Sequence, residues 1–427
     1  MRSRLGFQAA VLSLAVIFSD LSADELRPQR LQSSIANVQP MTGIVLWSTN
    51  EAAATAPIQL EYAYLKYDQV VQEKGKYDWQ PVERLLNGIA GRKHQAILRW
   101  HDTYVGEPTG VPAFIKALPN YHETTAKSEN KPTGFPDWTN DEWQAFVLEF
   151  FTRFAEKYDR DPRMAFVQVG FGLWAEYHIY DGPMKLGETF PDKNFQLAFS
   201  RHLASQFRET PWMISVDAAG DHTPFAEDPK LSQAPFGLFD DSFNHRGHGK
   251  ENEPNWRTLG MDRWKHAPTG GEFSFFNKKD QKDALAPNGP YGIPFAKQAA
   301  KFHVSFIIGD DQPRFQNADV IRHAGMNCGY LFKVNRFVAS STASELEIQN
   351  TGIAPIYYDA FPAINGVRSE TSLKGLLPGE SRNFRIANAG KIANAGKIAN
   401  AGKVPVLTID CDRLVPGQKI EYIADLN

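Results

Sequence analysis

Between residues 41 and 325 the chain repeats one pattern: a short apolar run, a polar break, then a segment whose apolar positions recur every three or four residues. The runs are GIVLWST (Gly43 to Thr49), LEYAYLKY (Leu60 to Tyr67), AILRWH (Ala96 to His101), AFVQVGFGLWAEYH (Ala165 to His178), MISVDAA (Met213 to Ala219), FGLFDDSF (Phe236 to Phe243), GGEFSFF (Gly270 to Phe276) and HVSFIIG (His303 to Gly309). Strands alternating with helices predict parallel β/α architecture. Eight of them are the number that closes a (β/α)8 barrel of the TIM type. Two intervening segments, DWQPVERLLNGIAGRK and TNDEWQAFVLEFFTRFAEKYDRD, are amphipathic with Asp78 and Thr139 or Asn140 as N-caps. Between runs three and four lies a long loop rich in Pro, Gly and aromatics, Tyr104 to Trp138. Loops of that length in a barrel shape its active-site face.

After residue 326 the pattern changes to strand-like segments bounded by turn residues: GYLFKVNRF, ASELEIQNTG, APIYYDAF, SLKGLLPGES, VPVLTID and KIEYIADL. They predict a C-terminal all-β sandwich. The expected division is therefore a barrel over 24–325, carrying any catalysis, and an accessory sandwich over 326–427. Inside the latter IANAGK occurs three times in tandem, Ile386 to Lys403. Three six-residue copies are too few to bury a core as a solenoid, and the repeat is expected to be a surface loop.

The N-terminus changes the picture next. Two arginines precede an apolar run from Leu5 to Phe18, followed by small and polar residues to Ala23. This is the layout of a secretory signal peptide over 1–23, which implies a secreted or periplasmic protein. An uncleaved anchor is the alternative, because Leu21-Ser22-Ala23 is only partly ideal as a cleavage site. No later segment is apolar for long enough to span a bilayer, so no membrane span is expected in the mature chain. Cys328 and Cys411, the two cysteines, either pair in that oxidising setting or stay as buried thiols. A net charge of -3 gives no general attraction to polyanions, which argues against nucleic acid as a partner. Nine Trp and fourteen Tyr suit sugar rings as well as cores.

Candidate chemistry comes from side-chain alternation. Read as one strand, the fourth run points Gln168, Gly170, Gly172, Trp174 and Glu176 inward and Val167, Val169, Phe171 and Leu173 outward. The seventh puts Glu272 and Ser274 inside and Phe273 and Phe275 outside. Both glutamates then face the barrel axis near the strand ends, where barrels of this type hold their active sites. Two carboxyls converging there can share acid and base work on a glycosidic bond. Separations of about 5–5.5 Å mean a retaining route, and about 6.5–9.5 Å an inverting one. Arg99, Trp100, His101, Trp174, His178, Asp217, Asp240, Asn244 and His245 are the candidate substrate-binding residues. A barrel-lining Glu paired with Arg99 in a buried network is the structural alternative. His245 and His248 in DDSFNHRGHG invite a metal reading, but their spacing is not that of a helical zinc motif, and neither a metal nor a cofactor is expected.

The strand count, with Glu on strands four and seven, resembles the clan A glycoside hydrolases. EKGKYDWQPVERLL after strand two looks like a stretch of their galactosidase-like members. GLWAEYH, GGE, NTGIAPIYYDAFPAINGV and LKGLLPGES together are similar to secreted bacterial barrel proteins whose C-terminal part is a domain of unknown function. By that resemblance Glu176 is the acid/base and Glu272 the nucleophile of a retaining glycosidase acting on poly- or oligosaccharides. One departure stands out. Clan A members carry Asn before the acid/base, and here the position is Ala175. Either His178 or Asn244 replaces its contact to the sugar 2-hydroxyl, or the protein is a catalytically inactive carbohydrate-binding barrel.

Overall fold

The computed structural model describes residues 25–227, 231, 234–245, 247–387 and 405–427. The expected signal peptide, and the IANAGK repeat from residue 388 onward, lie outside them. Eight parallel strands close a barrel: β1 (Gly43–Trp47), β2 (Leu60–Lys66), β3 (Gln95–His101), β4 (Met164–Gln168), β5 (Trp212–Ser215), β6 (Phe236–Phe243), β7 (Thr269–Phe273) and β8 (Phe306–Ile308). The circle shuts where Ile307 of β8 stands beside Ile44 of β1. All eight runs read from the pattern supply a strand, and the barrel is the α/β fold they predict.

Alternation sorts each strand into an outer and an inner face. Ala96, Leu98 and Trp100 of β3 join one hydrophobic cluster with helix residues such as Val82, Phe150 and Phe154. Ile97 joins a second cluster, inside the barrel, with Val45, Tyr62, Phe166, Met213, Phe239 and Phe306. Helix α1 (Gln80–Gly91) buries Val82, Leu86 and Ile89 on one face. Helix α2 (Asp141–Tyr158) starts at Asn140, whose side chain accepts from the Trp143 amide, a cap worth about 1 kcal/mol. Asp78 accepts from Gln80 N at 2.9 Å, ahead of α1. Helices α3 (Lys193–Gln206) and α4 (His248–Leu259) follow β4 and β6.

Strand β4 is where the structure departs from the reading. The apolar run continues to His178, but the strand stops at Gln168. Trp174, Ala175 and Tyr177 take left-handed backbone conformations, with φ of 53°, 59° and 62°. Such angles fold the chain back on itself and are costly for residues with a Cβ. The fold-back needs Gly170 and Gly172: a Cβ on Gly170 would lie 2.0 Å from the Ala175 carbonyl, and one on Gly172 2.3 Å from that of His178. Strict alternation therefore does not govern Gly170 to His178. The long loop Tyr104 to Trp138 also carries a hairpin of its own, Thr124–Ser128 with Lys131–Phe135.

The β-rich part contains β9 (Phe332–Ala339), β10 (Ala343–Asn350), β11 (Phe361–Ile364), β12 (Ser381–Ala387), β13 (Leu407–Asp410) and β14 (Tyr422–Leu426). One sheet runs β12-β10-β9-β14 and is completed by Leu31–Ser33 beside β14 and Arg27–Pro28 beside β9. A smaller sheet holds β11 between Val367–Arg368 and β13. APIYYDAF and SLKGLLPGES, expected as strands, are mostly loop. Their Ile356, Tyr358, Leu373 and Leu376 are buried in the same cluster as the barrel's inner residues. This part thus plugs the barrel from below: Tyr357 donates to Trp264 O at 2.6 Å, and Arg413 donates to Asp159 O at 2.9 Å and to Thr210 Oγ1 at 2.8 Å. Cys328 and Cys411 are free, buried thiols. No helix among the described residues is long and apolar enough to cross a membrane.

Candidate active site

The carboxyl ends of the strands gather an aromatic and acidic cluster around one arginine. Arg99 points inward from β3 and is buried. Its Nε and Nη2 donate to Gln168 Oε1 at 2.9 and 2.6 Å, and its Nη1 to Tyr64 OH at 3.0 Å, Trp174 O at 3.2 Å and Glu176 Oε1 at 2.6 Å. Its guanidinium lies 4.1 Å from the centre of the Phe239 ring and 5.3 Å from that of Tyr64. Tyr62 donates to the same Gln168 oxygen. A planar, permanently charged group with five donors is what such a floor requires.

Glu176 is also buried. Burial pushes its carboxyl well above the usual carboxylate range; the charge of Asp241 adds to this, Arg99 opposes it, and Glu272 contributes further upward. Glu272, inward on β7, is pushed up to about 8 by burial, with Arg99 opposing and Asp241 and Asp310 adding. Glu176 thus feels Glu272, and both have Arg99 and Asp241 as electrostatic neighbours. His178 donates or accepts through Nδ1 at 2.6 Å from Asp217 Oδ2, while its Nε2 stands 3.7 Å from Glu176 Oε2, buried and without a hydrogen-bond partner. Burial pushes the imidazole down, but the bond to Asp217 and the charge of Asp241 carry it above its ordinary value.

Other residues divide sharply. His101 is buried with its ring between Tyr64 and Tyr104, and burial lowers it to about 3. Trp174 stands half-buried near Tyr104 and stacks on the exposed Tyr180 at 6.0 Å. Trp100 does not reach the site: as an even-numbered residue of β3 it points outward, fully buried against Tyr67, Phe150 and Phe154. Asp240 likewise faces out, accepting from Asn252 Nδ2 at 2.5 Å, Ser242 N at 2.9 Å and Trp256 Nε1 at 3.3 Å, and so ties β6 to α4. Asn244 reaches Ile293 O at 3.5 Å. His245 lies against Phe276 and Tyr291, its Nε2 3.5 Å from Asp280 Oδ2. His248 falls among residues whose side chains are outside the description.

Asp241 is the residue the sequence reading passed over. On β6 the apolar Leu238 belongs to the outer cluster and Phe239 to the inner one, so Asp241 faces inward and Asp240 outward. The strand's register shifts between Asp240 and Phe243, and it is the approach of Asp241 to Glu176 and His178 that marks it as a site residue. Asp241 brings a carboxyl oxygen within 4.8 Å of Glu176 and His178, and its charge raises the Glu176 carboxyl. Tyr62, Tyr64, Tyr104 and Trp47 were also missed, although on β2 the alternation that sends Ala63 and Leu65 to the outer cluster turns Tyr62 and Tyr64 inward. Trp47, Tyr104, Asp310 and Phe275 line a cavity of about 830 Å³ over β1 and β8, the side of the barrel opposite β4.

Glu176, His178 and Asp241 bring ligand-capable atoms within 4.8 Å of one another, the grouping among the described residues that could hold a metal ion. Arg99, 2.6 Å from Glu176, already places a fixed positive charge against these carboxyls. Chemically the arrangement can hold and move protons between carboxyls, and its aromatic rim can lie against sugar rings.

No protein-family model matches the chain, and no curated protein matches it in sequence. Several solved glycoside hydrolases align with it in structure. The galactosidase domain of alpha-galactosidase-sucrose kinase aligns at 10% identity and a TM-score of 0.39, covering 84% of this chain and 56% of that one. The family 30 subfamily 8 xylanase Xyn30A from Clostridium acetobutylicum aligns at 11% identity and a TM-score of 0.38, covering 85% and 98%. The catalytic domain of β-amylase from Paenibacillus polymyxa aligns at 9% identity and a TM-score of 0.42, covering 68% and 98%. The chain thus spans little more than half the length of the galactosidase it aligns with. Likenesses this distant do not bear on chemistry, since one barrel hosts many reactions.

Proposed function

We propose that the protein is a glycoside hydrolase acting on poly- or oligosaccharides, with Glu176 as acid/base and Glu272 as nucleophile of a retaining reaction. One observation carries the reading: the carboxyl of Glu176, in the turn after β4, and that of Glu272, on β7, share Arg99 and Asp241 as electrostatic neighbours. Glu176, held above the usual range by its surroundings, is suited to protonate the leaving oxygen. Glu272 attacks the anomeric carbon once ionised; water then releases the sugar, with Glu176 acting as base. Trp174 with Tyr180 on one side and the cavity beside Trp47 and Tyr104 on the other provide stacking surfaces for sugars. We also take the chain to be exported, with 1–23 as its signal peptide and the β-rich part as a brace beneath the barrel. The experiment is an NMR record of product anomers from a cleaved glycan: initial retention supports the two-glutamate route, and initial inversion removes Glu272 as nucleophile.

A second reading is favoured by Ala175, whose buried methyl offers no hydrogen bond where an amide would meet the 2-hydroxyl. In that reading the site binds glycans without turnover. Retention on immobilised polysaccharides with no new reducing ends would mark it.

A further inference from the structure

The turn after β4 presents two side chains to the same point. Tyr177, with φ of 62°, turns the backbone between Glu176 and His178, and Glu176 Oε2 and His178 Nε2 stand 3.7 Å apart. Two donors that each lie about 2.1 Å from one tetrahedral ion are about 3.4 Å from each other. The pair is spaced for a shared ion rather than for a hydrogen bond. Asp241 of β6 completes the group, with a carboxyl oxygen within 4.8 Å of both.

Carboxylates crowd together on many surfaces without holding a metal, so the imidazole carries the argument. His178 Nε2 is a buried atom with no hydrogen-bond partner, and a buried polar atom left unpaired calls for an explanation. The other ring nitrogen is taken: Nδ1 meets Asp217 Oδ2 at 2.6 Å. An ionised carboxylate only accepts, so Asp217 holds the proton on Nδ1, and Nε2 is the nitrogen with a lone pair to give. Histidines ligate metals in this way, one nitrogen on a carboxylate and the other on the ion. Arg99 does not fill the place. Its Nη1 holds Glu176 through the other oxygen, Oε1, at 2.6 Å, which leaves Oε2 turned to His178.

We propose that Glu176 Oε2, His178 Nε2 and the Asp241 carboxyl bind one divalent transition-metal ion of the zinc class, and that this ion silences the site. One imidazole nitrogen with two carboxylate oxygens suits zinc, whereas calcium takes about six to eight oxygens. A fourth position stays open to water. The ion takes the oxygen on which Glu176 carries its proton for the leaving group; that proton goes to solvent, and no electron changes hands. The silencing rests on Glu176 being the acid/base. The binding does not, so the two fail separately.

The test is a Zn2+ titration of the full protein, first stripped with a chelator, against a chromophoric chelator that competes for the ion. The wild type is expected to take up one zinc per chain. Asp217→Asn, which keeps the imidazole but loosens it, lowers the affinity by about 10–100-fold. His178→Ala and Asp241→Asn lower it further, and Asp240→Asn, next in the chain but on the outer face, leaves it in place. X-ray absorption of the zinc-loaded wild type shows one imidazole among the ligands, and this measurement serves if the variants do not fold. A folded wild type that binds no zinc, a folded His178→Ala that binds it equally well, or a spectrum without imidazole overturns the site. On a glycan that the wild type cleaves, hydrolysis falls as zinc fills the site and returns with EDTA; hydrolysis that continues or rises with the site filled overturns the silencing. A protein that cleaves no glycan removes the hydrolase reading, and the silencing with it, while the zinc titration still decides the site.

Discussion

Arg99 and Glu176, 77 residues apart in the chain, meet through Nη1 and Oε1 at 2.6 Å with both side chains buried. The contact is not a private ion pair. The same guanidinium supports Gln168, Tyr64 and the Trp174 carbonyl, and Glu176 turns its other side to Asp241 and His178. Arg99→Met therefore removes the internal cation from a group of carboxyls and leaves Gln168 and Glu176 without their donor. Its expected cost is about 3–5 kcal/mol in denaturant unfolding, the scale for breaking a buried pair from one side. Glu176→Gln, which keeps an oxygen for Arg99, should cost less than half of that.

The turn that delivers Glu176 makes a second prediction. A methyl on Gly170 has no room beside the Ala175 carbonyl, and backbone cannot yield as a flexible side chain can. Gly170→Ala should destabilise by about 1–3 kcal/mol, as overpacking does, and should lower activity more than Gly91→Ala, whose added Cβ meets nothing within 4 Å. Thermal melts and rates on the two variants check this.

Two tryptophans near the same strand ends should behave in opposite ways. Trp100→Ala empties a fully buried position in the helical shell and is expected to cost about 3–5 kcal/mol. Trp174→Ala, at the half-buried rim, should leave the melting temperature nearly in place and weaken glycan binding. Equal loss of stability in both would contradict the assignment of faces on β3.

Protonation gives a fourth. Asp102 and Asp240 are pushed up to about 7 by burial, and Glu272 to about 8, from ordinary values of 3.8 and 4.5. The folded protein then binds more protons than the unfolded chain between roughly pH 4 and 8, so stability falls as pH rises through that window. Glu272→Gln should flatten the upper part of the fall in a melting-temperature profile. If Glu272 is the nucleophile, kcat/KM should also rise with pH through about 8 as it ionises.

How much of this was legible in the sequence differs from strand to strand. The barrel was readable because each of its strands is an apolar run with turn residues behind it. On β3 and β7 the two-residue period holds, and on β6 it holds as far as Asp240, before the register shifts ahead of Phe243, so Arg99 and Glu272 are inward by the same rule that sends Trp100 and Asp240 out; choosing Trp100 and Asp240 as site residues went against it. On β4 the rule reached Glu176 by a route the backbone does not take. Apolar residues continue past Gln168, but close packing of Gly170 and Gly172 against carbonyls folds the chain there, and no periodicity records a left-handed residue. The contact of His178 with Asp217, 39 residues away, is tertiary and has no local signature.

The account stands most directly on hydrolysis by wild type, Glu176→Gln and Glu272→Gln compared on a panel of polysaccharides, with new reducing ends as the readout. It predicts cleavage of at least one glycan by the wild type and a loss of about 100-fold or more in each variant, with melting temperatures showing both variants folded. Either variant cleaving at the wild-type rate, or a folded wild type that retains glycans and cleaves none, would contradict it.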